Sequence, residues 1–329
     1  MNTFTKAGIW GTGAFVPEQV LTNFDLEKMV DTSDEWILTR TGIRERRVAS
    51  PSHASSDLAL PAARRALDEA DLTAQDIDMI IVATISPDMN FPSTACWLQA
   101  ALGATNAAAF DLSAACSGFI YALTMAKNTI EVGSHRHVLV VGAEVLTKIT
   151  DYTDRTSCIL FGDGAGAVML GPSRGNRELL KTFIRSDGSG GDMMKLPAGG
   201  TRLPASHETV EQRMHYMKIR GREVYKFVVV KMAELIEQAA REHGISKQDI
   251  ALIVPHQMNS RIIEGAMERL ELPMEKVYLN IDRYGNTSAA SIPIALNEAL
   301  QNGRVHQGDY VCLVAFGAGL TWGYCMVRW

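Results

Sequence analysis

The feature that most constrains the fold is an internal repeat. The stretch Gln75-Asp-Ile-Asp-Met-Ile-Ile-Val82 returns as Gln248-Asp-Ile-Ala-Leu-Ile-Val254, and His137-Val-Leu-Val-Val-Gly142 returns as Tyr310-Val-Cys-Leu-Val-Ala-Phe-Gly317. Both pairs are offset by about 173 positions, so the copies share their internal spacing as well as their local pattern. Gln-Asp-Ile before a strand is common in α/β chains, but matching offsets of two strand pairs are not. The chain therefore divides into two halves of similar topology, 1–172 and 220–329. The segment 173–219 between them contains Asp187-Gly-Ser-Gly-Gly191 and Pro197-Ala-Gly-Gly-Thr-Arg-Leu-Pro204 and reads as irregular linker and loops.

Within the halves, short Val- and Ile-rich runs predict buried strands at Met79–Thr84, Val138–Gly142, Ala165–Leu170, Leu252–Val254 and Val311–Phe316. Helical patterns fall between them, among them Asp57–Ala70 and Val224–His243. The alternation predicts an α/β class, and the 27 glycines cluster at the ends of apolar runs, where strands hand over to loops.

Composition narrows the function. A net charge of -5, from 32 Lys+Arg against 37 Asp+Glu, provides no overall pull toward phosphate backbones, so nucleic acid is not an expected partner. No run approaches the roughly 18 apolar residues of a membrane span, and the N-terminus shows no charged-then-apolar leader; a cytoplasmic location without membrane contact is expected. The 5 cysteines, none spaced CxxC, suggest buried thiols rather than a disulfide framework. The histidines are scattered without ligand spacing, and no metal site is expected.

Four places could carry chemistry. Cys116, in Asp111-Leu-Ser-Ala-Ala-Cys-Ser-Gly-Phe119, stands at a strand-to-helix junction among small residues, where helix N–H groups would lower its pKa and a thioester would fit; a small buried thiol reads the same way. His256 directly follows an apolar strand, as a proton shuttle, an oxyanion donor or a structural histidine would. Asn286, in Asp282-Arg-Tyr-Gly-Asn-Thr-Ser-Ala-Ala-Ser291, supplies either a neutral amide donor or an ordinary cap. Glycines in Phe316-Gly-Ala-Gly-Leu-Thr-Trp-Gly323 let backbone N–H groups face a ligand, whereas Phe161-Gly-Asp-Gly-Ala-Gly166 lacks the context of a dinucleotide fingerprint.

Taken together, these residues resemble the 3-oxoacyl-[acyl-carrier-protein] synthase III family, the initiating condensing enzymes of bacterial type II fatty-acid synthesis. The likeness spans essentially the whole chain, from Gly11-Thr-Gly-Ala-Phe-Val-Pro17 through Asp31-Thr-Ser-Asp-Glu-Trp-Ile37 and Thr39-Arg-Thr-Gly-Ile-Arg-Glu-Arg46 to Gly-Leu-Thr-Trp-Gly323. It implies a thiolase-like fold of two similar halves in five α-β-α-β-α layers, and a homodimer. It also implies acyl transfer from acyl-CoA, a substrate rather than a cofactor, to Cys116, followed by decarboxylative condensation with malonyl-ACP.

By the same resemblance, His256 and Asn286 would donate to the malonyl thioester carbonyl. The backbone N–H groups of Cys116 and of the loop near Ala318 would hold the acyl oxyanion. Trp36, Arg40 and Arg155 match the family's contacts to CoA, with Asn259 on the pantetheine arm. Lys226 and Arg261 would form a basic patch for the acidic carrier, and Phe91 would close the acyl pocket across the dimer.

The chain departs from the family pattern at three points: Met258 where alanine is usual, an acidic Glu268 beside Arg269 where a base is expected, and Ala318 for a common glycine. A degradative thiolase would need a second cysteine in the loop that reads Gly317-Ala-Gly319, and elongating synthases carry a second histidine in place of Asn286. Plant-type polyketide synthases share the Cys-His-Asn set on a longer chain. A specialised relative with an unusual acyl donor or acceptor, in secondary metabolism, is the main alternative. A silent scaffold would be expected to lose one of Cys116, His256 and Asn286.

Overall fold

The computed structural model describes residues 5–329, the Arg222 side chain excepted. Its centre is a nine-stranded sheet running, edge to edge, through Ile250–Pro255, Tyr310–Gly317, Thr321–Arg328, Glu178–Ser186, Ala7–Phe15, Asp163–Pro172, Val138–Val145, Met79–Ala83 and Ala108–Leu112. The sheet is two sub-sheets, joined where Gly8 pairs with Glu178.

The sub-sheets repeat one topology. Met79–Ala83 runs parallel to Val138–Val145, which pairs antiparallel with Asp163–Pro172. In the second half Ile250–Pro255 runs parallel to Tyr310–Gly317, which pairs antiparallel with Thr321–Arg328. Ala108–Leu112, parallel to Met79–Ala83, has its counterpart in the parallel bridge of Val277 to Ile253.

One expectation needs correcting. The segment 173–219 is not irregular throughout, because Glu178–Ser186 is a strand of nine residues that opens the second sub-sheet, registered from Arg328↔Glu178 to Thr321↔Ser186. Its sequence, Glu-Leu-Leu-Lys-Thr-Phe-Ile-Arg-Ser, is half exposed and charged, so it lacks the apolar run that marks the inner strands.

The three largest apolar clusters define five layers. Helices Ser55–Ala70 and Thr94–Leu102 cover the outside of the first sub-sheet, and Gly221–Glu242 and Ser260–Leu270 cover the outside of the second. Helices Gly118–Glu131 and Ser291–Gln301 lie between the sub-sheets and share one core with both. Strand Val138–Val145 is buried along its whole length because both of its faces are covered. Close approach explains the small residues: a Cβ on Gly13 would sit 2.2 Å from the Ala62 carbonyl of the helix above it.

The two central helices are where the repeat matters for chemistry. Each is preceded by a 3-10 turn, Ala115–Ser117 and Ser288–Ala290, and each turn opens on a residue with left-handed φ, 48° at Ala115 and 47° at Ser288. These residues stand at the repeat offset. Pseudo-twofold symmetry thus brings the N-termini of the buried helices together, with Cys116 on one turn.

Candidate active site

Cys116, His256 and Asn286 come from three separate loops and line one cavity. Cys116 is the middle residue of its 3-10 turn and is buried. Gly317, at the end of strand Tyr310–Gly317, packs against it so closely that a Cβ there would stand 2.8 Å from the Cys116 nitrogen. Against the lowering that a helix N-terminus would bring, burial pushes the Cys116 pKa up to about 12, and the nearby Ser288 hydroxyl offsets only part of that. The resting thiol is protonated, so its proton must move before the sulfur can attack.

His256 continues the pairing of the strand before it, its N–H donating to the Val314 carbonyl at 2.8 Å. Its Nδ1 lies 2.7 Å from Ser291 Oγ, which also accepts from the Gln257 N–H at 3.3 Å. The Gln257 N–H takes one lone pair of Ser291 Oγ, and with the serine proton turned to Nδ1 the neutral ring carries its N–H on Nε2. Burial lowers the His256 pKa to about 3, so near neutrality it is a neutral donor rather than a cation.

Asn286 is pinned by its own backbone: its N–H donates to the Leu160 carbonyl at 2.8 Å, and its carbonyl accepts from Gly162 N–H at 3.1 Å. Gly285 before it has φ 62° and would bring a Cβ within 2.7 Å of the Leu160 carbonyl, so the turn requires glycine. The Asn286 Oδ1 accepts from Ser288 N–H at 2.8 Å, which directs its NH2 group as the free donor of the amide.

The cavity opens outward as a funnel. The inner part, about 120 Å³, is walled largely by apolar side chains including Phe161, Met194, Val224 and Phe227. The outer basin, about 590 Å³, is bordered by Trp36, Arg40, Lys226 and Arg261, and both parts share Leu160, Ile219, Gly221 and Asn259. Arg40 and Arg155 each place their guanidinium 5.1 Å from the centre of the Trp36 ring, and Arg155 is also paired with Asp31 at 2.9 Å.

The remaining residues fall in varied places. Asn259 caps helix Ser260–Leu270, accepting from Arg261 N–H, while its Nδ2 donates to the Arg40 carbonyl at 3.0 Å; it ties the two rims of the funnel together. Met258 lines the inner cavity, whereas Glu268 and Arg269 are exposed on the same helix away from both openings. Ala318 does not line the cavity, Gly317 and Leu320 do; its φ is not positive, so alanine fits the backbone there without strain. Phe91 is 85% exposed and does not line the cavity of its own chain. Among the described residues no cluster of His, Cys, Asp or Glu could hold a metal.

Sequence reasoning passed over Ser291, which orients His256, and Ser288 and Glu144, buried behind Cys116. Ser288 and Ser291 stand within the Asn286 motif, in the stretch Ser-Ala-Ala-Ser that ends it, and the repeat offset could have placed Ser288 opposite Ala115.

Comparison with known proteins accords with this geometry. The family models for the C-terminal part of 3-oxoacyl-[acyl-carrier-protein (ACP)] synthase III and for 3-oxoacyl-[acyl-carrier-protein (ACP)] synthase III match residues 240–329 and 110–188. A beta-ketoacyl-[acyl-carrier-protein] synthase III of Caldanaerobacter subterraneus subsp. tengcongensis is 56% identical, covering 98% of both chains. Its counterpart in Clostridioides difficile is 55% identical over 99% of both. The crystal structure of 3-oxoacyl-[acyl-carrier-protein] synthase III from Aquifex aeolicus superposes with a TM-score of 0.90 at 46% identity, over 98% of this chain and 100% of that one. With its thiolase-like layers, its buried Cys-His-Asn cavity and this degree of identity over the full length, the chain belongs to the 3-oxoacyl-[acyl-carrier-protein] synthase III family.

Proposed function

We infer that the chain is the initiating condensing enzyme of fatty-acid synthesis: acyl-CoA acylates Cys116, and the acyl-enzyme then condenses with malonyl-ACP to give 3-oxoacyl-ACP, CoA and carbon dioxide. The observation that carries this reading is the convergence of Cys116, His256 and Asn286 at the inner end of one funnel whose outer basin is basic and aromatic.

Each half-reaction uses a different part of the site. In the first, the Cys116 sulfur attacks the acyl carbonyl while backbone N–H groups of Cys116 and the loop near Ala318 hold the oxyanion. In the second, malonyl loses its carboxylate, and charge gathers on the thioester oxygen. Neutral His256 Nε2–H and the Asn286 amide are donors suited to that oxygen, because neither carries a proton acidic enough to quench the carbanion before it attacks the acyl-enzyme.

The basin suits CoA. Trp36, with the guanidinium groups of Arg40 and Arg155 each 5.1 Å from its ring centre, offers an indole for adenine and positive charge for phosphate. Lys226 and Arg261 extend the positive rim toward an acidic carrier protein. Exposed Phe91, Met89, Phe110 and Trp97 form apolar surface outside the funnel, suited to a second copy of the chain, and Phe91 would then reach the partner's acyl pocket. Among the described residues no helix is long and apolar enough to cross a membrane, and the cytoplasm is where we place the reaction.

The test is direct. Purified protein mixed with equimolar acetyl-, isobutyryl-, butyryl- and octanoyl-CoA should gain one acyl mass, confined to the Cys116 peptide and missing in Cys116→Ala. No adduct from any of the four in the folded protein would overturn the acyl-CoA half of the reading.

A further inference from the structure

Glu144 is a buried carboxyl that the two half-reactions above do not use. It is the penultimate residue of strand Val138–Val145 and accepts from Thr84 Oγ1, Ile85 N–H, Ser86 N–H and Ser86 Oγ at 2.6–3.3 Å. These donors crowd Oε2; Oε1 shares only the Ile85 N–H, at 3.3 Å, and is the oxygen with room for a proton.

Strand geometry aims this carboxyl at the active site. Gly142, two residues earlier and so on the same face, lies against the Ser288–Ala290 turn, where its Cβ would meet the Ala289 carbonyl at 2.2 Å. Glu144 therefore faces that turn as well. By the repeat offset Glu144 occupies the place that Gly317 holds in the other half, against the opposite 3-10 turn. The Ser288 hydroxyl is fully buried and forms no complete hydrogen bond, yet it lies near enough to both the Cys116 thiol and the Glu144 carboxyl to favour the ionised form of each. An unpaired buried hydroxyl between a protonated thiol and a carboxyl is placed to pass a proton.

We propose that Glu144, acting through the Ser288 hydroxyl, takes the Cys116 proton as the sulfur is acylated and returns it when condensation frees the sulfur. This rests on the two-step reaction proposed above. In the first step the S–H proton passes to Ser288 Oγ as the Ser288 proton passes to Glu144. The new S–C bond forms, the C–S bond to CoA breaks, and CoA leaves as a thiolate that takes its proton from solvent. In the second, the malonyl carboxylate leaves as carbon dioxide, its electron pair forms the C–C bond, and the Cys116–acyl bond breaks. The released thiolate recovers the proton from Glu144 along the same path, and both groups return to their starting states.

Burial raises the Glu144 pKa to about 7, so the carboxyl exchanges protons in the working range. The other titratable groups around it are otherwise engaged. His256 is neutral, Asp163 is bonded to Ala49 and Thr147, Asp111 to Thr94 and Ala95, and Lys148 to the carbonyls of Pro51 and His53.

The test is alkylation of Cys116 by iodoacetamide in the full chain, followed by intact mass across the range from about pH 5.5 to 9. The wild-type rate should rise with an inflection near 7, where Glu144 ionises. Ser288→Ala should lack that inflection and react about tenfold more slowly at neutral pH, the size of one lost hydrogen bond to a charged group. Glu144→Gln should also be slow and lose the inflection; if Glu144 were only a neighbouring negative charge, its removal would make the thiol more reactive instead. A faster Glu144→Gln, or a Ser288→Ala profile that overlays wild type, overturns the proposal. Should Glu144→Gln fail to fold, Ser288→Ala decides alone, since alanine already stands at the same left-handed φ in the other turn, at Ala115. Alkylation needs neither CoA nor carrier, so its outcome is separate from that of the acyl-transfer test.

Discussion

Burial keeps His256 neutral and Ser291 directs its Nε2–H outward, so its contribution is a hydrogen bond made to developing charge. Replacing His256 or Asn286 by alanine should therefore leave self-acylation of Cys116 largely intact and slow condensation by roughly 100- to 1,000-fold, as read by separate single-turnover assays of the two steps. Equal loss of both steps would count against these roles. The same burial has a cost in acid. Because the folded pKa, about 3, lies below the ordinary histidine value of 6.5, the stability tied to neutral His256 is present above 6.5 and is lost as pH falls toward 3. Between pH 7 and 5 wild type should lose ~2 kcal/mol more than His256→Gln, measured by urea denaturation. Parallel losses in the two proteins would show that His256 is accessible to protonation in the folded state. At this scale His256 and Asn286 were legible as candidates from their motifs, but the setting of the His256 ring by Ser291 and the anchoring of the Asn286 backbone on Leu160 were not, since each partner is far away in sequence.

In each half a glycine of a central strand admits the turn that opens a buried helix. Glycine at 142 admits the Ser288–Ala290 turn, and glycine at 317 admits the Cys116 turn, each contact leaving no space for a methyl group. Gly142→Ala should push the turn off the strand, destabilise the protein by about 1 to 3 kcal/mol and slow Cys116 acylation together with condensation. A wild-type melting temperature with wild-type acylation would show that the contact is not needed. The inner strands were recognisable because, covered on both faces, they must be apolar throughout. Glu178–Ser186 was not, since its exposed half reads as loop until its partner Thr321–Arg328 is known. Strand Val138–Val145 likewise extends past Gly142, because the buried carboxyl of Glu144 is satisfied by donors of the segment Thr84–Ser86.

On the scale of the whole molecule the funnel brings together both halves: Trp36 and Arg40 from the first, Lys226 and Arg261 from the second. A net charge of -5 conceals this basic rim. Reversing Lys226 and Arg261 to glutamate should lower kcat/KM for the malonyl carrier by about tenfold at low salt, and the difference should shrink as ionic strength rises. A salt-independent loss would point to altered packing of helix Gly221–Glu242 rather than to steering.

The amino-acid sequence by itself determined the α/β class and the twofold repeat and marked Cys116, His256 and Asn286 as candidates, because periodicity, equal offsets and residue chemistry are all local or nearly local properties. Only the tertiary structure decided where the second sub-sheet begins, that burial raises the Cys116 pKa, and that Ser288 and Glu144 lie behind it. These follow from burial and from contacts between the two halves, and desolvation and packing depend on which distant residues close over a group.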